Sequence, residues 1–191
     1  MPDARYTAGE LDELDHIARQ IDIDATVERV WELVRRPGWF INDGTVDPEP
    51  DLRDDGGVAV LHHPSWGEFH LKAVELDEPR YAAFRWFETP YRGESTPSTL
   101  VEFWIEERDE GGVTLRVLES GFSQLSDDPA EWLRRREGNV AGWRTELGTA
   151  KAFVEGRATS SGPEPGAEPV ASPGPEPAPG PDAGRTGRPD A

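Results

Sequence analysis

One periodic stretch near the end of the chain constrains what the rest can fold into. Between Pro129 and Gly156 the apolar residues Val140, Trp143, Leu147, Ala150 and Val154 recur at alternating steps of three and four. That is the period of one face of an α-helix. Trp132 lies on roughly the same stripe, and charged residues such as Arg134, Arg136, Arg144, Glu146 and Lys151 fall on the other faces. Pro129 suits the first turn, where its missing N–H costs nothing, and Asp127 or Asp128 can cap it. Gly142 beside Trp143 predicts close approach to another layer. A helix of about seven turns cannot bury such a stripe alone. A concave apolar face must receive it.

The preceding residues have the pattern of that face. Ile17, Ile21 and Ile23 alternate with polar residues, which predicts a strand. Thr26 to Arg35 has helical spacing, with Val27, Val30, Trp31 and Val34 inward, and Pro37 to Ile41 reads as a second short helix or a turn. Residues 46–53 make a weak edge strand interrupted by Pro48 and Pro50. Further strands follow at Val58–His63, Phe69–Ala73, Tyr81–Phe87, Thr99–Glu106 and Val113–Glu119, separated by turn sequences such as Asp54-Asp55-Gly56-Gly57. Pairing His63 with Glu68 would put His62 on the same face as Phe69 and Leu71, with His63 and His70 facing away. The expected architecture is α+β: a curved antiparallel sheet of about seven strands, wrapped on one long C-terminal helix and preceded by two short helices after the first strand. Such a grip leaves room for a cavity.

Hydrophobic residues make up only 35% of the 191 residues, but the deficit is local. Residues 157–191 contain nine Pro, six Gly, no aromatic residue and one bulky aliphatic, Val170. This composition predicts a disordered, extended tail. Residues 1–13 read as a loose leader with a helical turn near Glu10–Leu14, and residues 14–156 as the domain. Net charge is −18; the tail's five acids and three arginines leave −16 on the rest. That argues against a nucleic-acid partner and against anionic membrane surfaces. With no Cys, thiolate catalysis and disulfides are excluded. No apolar run reaches the length of a membrane span, and the reading is a cytoplasmic protein.

Four segments carry a family resemblance: IDATVERVWELV at 23–34, KAVELDEPRYAAFRW at 72–86, GGVTLRVLESGF at 111–122 and GWRTELGTAKAFVEG at 142–156. In this order they resemble the AHSA1-like branch, named for the C-terminal domain of the activator of Hsp90 ATPase, of the START/Bet v 1-like (SRPBCC) superfamily. The resemblance covers about residues 16–156. It implies the helix-grip fold and a small hydrophobic or amphipathic ligand held between sheet and helix. It also implies two alternatives: a chaperone- or ATPase-regulating interaction module, and a cyclase- or hydrolase-type enzyme using the same cavity. Glu119 stands where the family often has His, and the co-chaperone's separate N-terminal domain has no counterpart here.

Candidate ligand-binding residues are Trp39, Phe40, His62, Phe69, Trp86, Phe103, Glu119 and Trp143. Glu119 follows the inward positions Leu115 and Val117, where burial would raise its pKa. His62, His63 and His70 do not share one face, so no metal is expected. No cofactor motif is present, since a Gly-rich phosphate loop between strand and helix is missing. Trp104 is expected on the convex face, where it would suit a protein partner.

Overall fold

The computed structural model describes residues 7–156; the expectations about residues 1–6 and 157–191 lie outside them. The elements run α1 (Ala8–Leu14), β1 (His16–Ile23), α2 (Val27–Val34), β2 (Leu52–Asp55), β3 (Val58–His63), β4 (Gly67–Asp77), β5 (Tyr81–Phe87), β6 (Ser98–Glu107), β7 (Val113–Ser120) and α3 (Pro129–Val154). All strand pairs are antiparallel, in the order β1-β7-β6-β5-β4-β3-β2. The sheet is therefore a meander whose first strand closes beside the last. This is the helix-grip architecture, and α3 is the rod in the grip.

The rod is fixed along β1 at both ends. Near its start, Arg136 Nε donates to the His16 carbonyl at 3.1 Å. Near its end, Lys151 Nζ donates to the Asp22 carbonyl at 2.6 Å, and Glu155 accepts from the Asp24 N–H at 2.8 Å. The Asp128 carboxylate caps α3 by accepting from the Ala130 N–H at 3.0 Å. Trp132, Trp143, Leu147, Ala150 and Val154 are buried as the periodicity requires, against Ile17, Ile23, Val113, Leu115 and Val117 of the sheet.

Several boundaries differ from expectation. The helical turn expected near Glu10–Leu14 belongs to α1, which begins at Ala8 and opens with a reciprocal capping box between Thr7 and Glu10. Pro37–Ile41 is a pair of turns, with N–H bonds from Trp39 to Arg36 and from Ile41 to Gly38, because Gly38 at φ +73° cannot continue a helix. Pro48 and Pro50 keep 46–51 out of the sheet, and the edge strand begins only at Leu52.

The register of β3 against β4 is also shifted by one residue. His63 pairs with Gly67 and Leu61 with Phe69, through the three-residue turn Pro64–Trp66, which leads into Gly67 at φ +85°. A one-residue slip exchanges faces. Leu61, not His62, therefore joins Phe69 inside. His62 lies on the outer face beside Asp51, at 3.5 Å and half exposed, and is not a cavity residue. His70 shares that outer face, whereas His63 lies on the Leu61 side and stacks on Trp66 at 4.0 Å.

Candidate functional site

The centre of the grip is the seam where α3 crosses β6 and β7 and meets the Trp39–Asp43 segment. Seven of the eight sequence-derived candidates lie in this interior. Phe40 contacts Trp86, Phe103 and Trp143 with ring centroids at 5.4, 5.8 and 5.0 Å. Trp39 packs on Phe103 at 5.4 Å, and Phe69 on Trp86 at 6.4 Å. Edge-to-face and tilted contacts of this kind add attraction beyond area burial. They also fill the space. The opening left between Phe40, Trp86, Asn139, Gly142, Trp143 and Glu146 measures about 10 Å³, room for one water at most. Among the described residues no cavity of several hundred Å³ opens between sheet and helix; the aromatic side chains occupy that space.

The seam is polar where a packed core would be apolar. Glu119, at the inward end of β7, is fully buried. Its carboxylate accepts from Trp143 Nε1 at 2.7 Å, Thr99 Oγ1 at 2.9 Å and Asn139 Nδ2 at 3.1 Å. None of these donors is charged. Burial pushes its pKa up, and the three donors oppose that rise without cancelling it.

One helical turn further along α3, Glu146 is 6% exposed. It accepts from Asn42 Nδ2 at 2.5 Å, while the same amide donates to the Trp39 carbonyl at 3.2 Å. Asn42 Oδ1 in turn accepts from the Gly44 N–H at 2.8 Å. Asn42 thus ties the loop after Trp39 to α3. Burial raises the Glu146 pKa to about 8; Asn42 opposes the rise and nearby Asp43 adds to it. Trp39 Nε1 is buried with no hydrogen-bond partner among the described residues. A buried orphan donor of this kind costs about 1–3 kcal/mol.

Asn139, Trp143 and Glu146 are spaced by four and three residues, so they form one ridge of α3 facing the seam. The seam can hold a proton on either Glu119 or Glu146, accept from a donor group, or stabilise a cation. Asn42, Thr99, Asn139 and Glu146 were not among the sequence candidates. For Glu146 the signal was available: it lies three residues from Trp143 and next to Leu147, within the width of the buried stripe. Among the described residues no cluster of His, Asp or Glu has the arrangement of a metal site.

No family model matches the sequence, and no curated protein sequence matches it. Solved structures do match in fold. The chain superimposes on protein MLL2253 of Mesorhizobium loti with a TM-score of 0.53 and 15% identity, covering 73% of this chain and 96% of that one. The Aha1 dimer from Colwellia psychrerythraea matches with a TM-score of 0.51 and 16% identity, over 73% and 96% of the two chains. DynU16, from the dynemicin biosynthetic locus, matches with a TM-score of 0.50 and 18% identity, over 74% of this chain and 47% of that one. At these identities the likeness concerns the fold alone, which is Bet v 1-like. No helix among the described residues is long and apolar enough to cross a membrane.

Proposed function

We propose that the chain is an AHSA1-like member of the SRPBCC superfamily that binds a small, largely apolar molecule bearing a hydrogen-bond donor or amine, in the seam between α3 and the sheet. The observation that carries this reading is the pair of buried acids, Glu119 and Glu146, neither of which faces a cation among the described residues. Burying carboxyl groups costs several kcal/mol, and apolar replacements of similar volume are often neutral or stabilising. A chain that keeps two acids and an orphan indole N–H beside an aromatic cluster has polar groups convergent on a site. The body of the ligand would displace the Phe40 and Trp86 rings. Entry would lie at half-buried Trp86 and the Asn42–Glu146 bond, since the β1 side of α3 is held by Arg136 and Lys151.

The test uses N-phenyl-1-naphthylamine, a neutral aromatic amine that fluoresces in apolar surroundings. Saturable binding is expected, weaker for Glu146→Gln and tighter for Trp86→Ala, which enlarges the opening. Absence of saturable binding, or identical midpoints in all three proteins, would overturn the reading. Native mass spectrometry of freshly purified protein should also show mass above the apo value.

A second reading, an Hsp90-activator-type interaction module, is favoured by the filled interior together with the apolar surface outside it. Val74 and Leu76 are 54% and 49% exposed. Separately, on the outer face, Tyr81 and Trp104 line a cleft of about 740 Å³. Under that reading the amine probe does not bind, and Leu76→Asp weakens association with an ATPase partner without loss of stability.

A further inference from the structure

We propose that the outer face of the sheet carries a second site, separate from the seam, that takes a small anion of the phosphate or carboxylate type. Lys72 on β4 and Arg85 on β5 are direct cross-strand partners. Like charges directly opposite one another destabilise a sheet unless an anion lies between them. They occur here in a chain with 38 acids and 20 lysines and arginines, where acidic partners are abundant. Other arginines on or beside this sheet have found one: Arg53 pairs with Glu68, Arg80 with Glu107, Arg116 with Glu106 and Arg135 with Glu88. Arg85 is half-buried and makes no hydrogen bond or ion pair with any described residue.

The surroundings of the pair form a cleft of about 630 Å³, within the usual range for small-molecule sites. Phe87 pairs with Ser98 across β5 and β6 on the same face. The 88–97 loop folds back over it, with Tyr91 stacked on His70 at 4.6 Å and against Phe87 at 5.0 Å. That brings Ser95, Thr96 and Pro97 to the rim, and Gln124 closes another side. Thr96 Oγ1 is already engaged, accepting from the Arg92 N–H and donating to the Gly93 carbonyl. Ser95, Ser98 and Gln124 bring side-chain donors that no described residue engages. Phe87, Pro97 and Val74 supply apolar wall for a ligand body.

Glu94 marks where the anion goes. Its carboxylate, largely exposed on the loop, pairs with Lys72 and with no other cation among the described residues. It acts as a tethered counter-ion on half of the site, leaving the Arg85 fork open for planar, bidentate acceptance. A ligand oxyanion would bridge Lys72 and Arg85 and displace Glu94.

The experiment titrates the full chain with sodium phosphate at constant ionic strength, reading the Arg85 Nε–H resonance and backbone amides of the 94–98 segment by NMR. A saturable shift is expected. Arg85→Gln should weaken it by about tenfold or more, and Lys72→Met by a smaller factor. Glu94→Gln should tighten it by about two- to five-fold, the value of an exposed competing ion pair. Each variant's thermal melt is recorded so that loss of fold is not read as loss of binding. Phenyl phosphate and benzoate decide the source: saturable binding of the former supports a phosphate-bearing ligand, and of the latter a carboxylate. The proposal is overturned if the shifts merely track sodium chloride, if Arg85→Gln has the wild-type midpoint, or if Glu94→Gln weakens binding. Because the amine probe for the seam carries no negative charge, failure at either site is read independently of the other.

Discussion

Replacing Glu146 by Gln should stabilise the domain at neutral pH and barely change it in mild acid. The carboxyl titrates near 4.5 in an unfolded chain and near 8 in the folded domain, where burial and Asp43 disfavour the charge. Between these values the folded state holds a proton that the unfolded state releases. Stability contributed by this group is therefore complete below about pH 4.5, falls as pH rises toward 8, and is flat beyond. The linkage limit is about 5 kcal/mol above pH 8 and about 3 kcal/mol at pH 7. The Gln carbonyl can still accept from Asn42, so the substitution removes the charge and keeps the bond. Urea unfolding followed by tryptophan fluorescence should give a gain of about 1–3 kcal/mol at pH 7, or roughly 3–10 °C in melting temperature, against less than about 1 kcal/mol at pH 5. A gain that is the same at pH 5 and pH 8, or a loss at every pH, would refute the assignment of a buried, proton-holding Glu146.

Trp143→Phe keeps an aromatic ring, though a smaller one, and removes the donor 2.7 Å from Glu119. It should cost about 1–3 kcal/mol in urea unfolding, with the loss growing as pH rises and Glu119 is forced to ionise with fewer donors. Gly112→Ala should cost on the order of 2 kcal/mol or more, since a Cβ there would lie 2.5 Å from the Ile23 carbonyl at a φ of +73°; a neutral result in a thermal melt would contradict the close approach of β1 to the β6–β7 turn. Thr26→Ala removes the α2 cap, a long bond of 3.4 Å to the Arg29 N–H, and should cost about 0.5–1 kcal/mol by the same measurement.

The long helix and the β7 alternation were legible because both rest on long runs with one dominant period. Val140 to Val154 and Val113 to Glu119 admit only one inward face, and α3 and β7 follow it. β3 was not legible in the same way. In Val58-Ala59-Val60-Leu61 both faces are apolar, so alternation alone does not choose between them. The choice falls to the length of the Pro64–Trp66 turn, and that decides whether His62 or Leu61 points inward. The Glu119 position could be read from its strand, but not its partners, because Thr99 and Asn139 lie 20 residues away in either direction. Glu146 was assigned to the solvent face because it is charged. The buried stripe of a helix gripped on two sides is wider than its apolar residues, and Asn42 from a loop with no regular pattern reaches it. The filled interior is likewise not readable from composition, since the same aromatic residues line a cavity or close it according to their rotamers.

The central claim is that the polar seam under α3 receives a small molecule. It is tested most directly by following the indole N–H resonances of the seven tryptophans while N-phenyl-1-naphthylamine is added. Saturable shifts are expected at Trp39, Trp86 and Trp143, together with the side-chain amides of Asn42 and Asn139, with little change at Trp66 and Trp104. Shifts confined to Trp66 and Trp104, with the seam resonances unmoved, would contradict it.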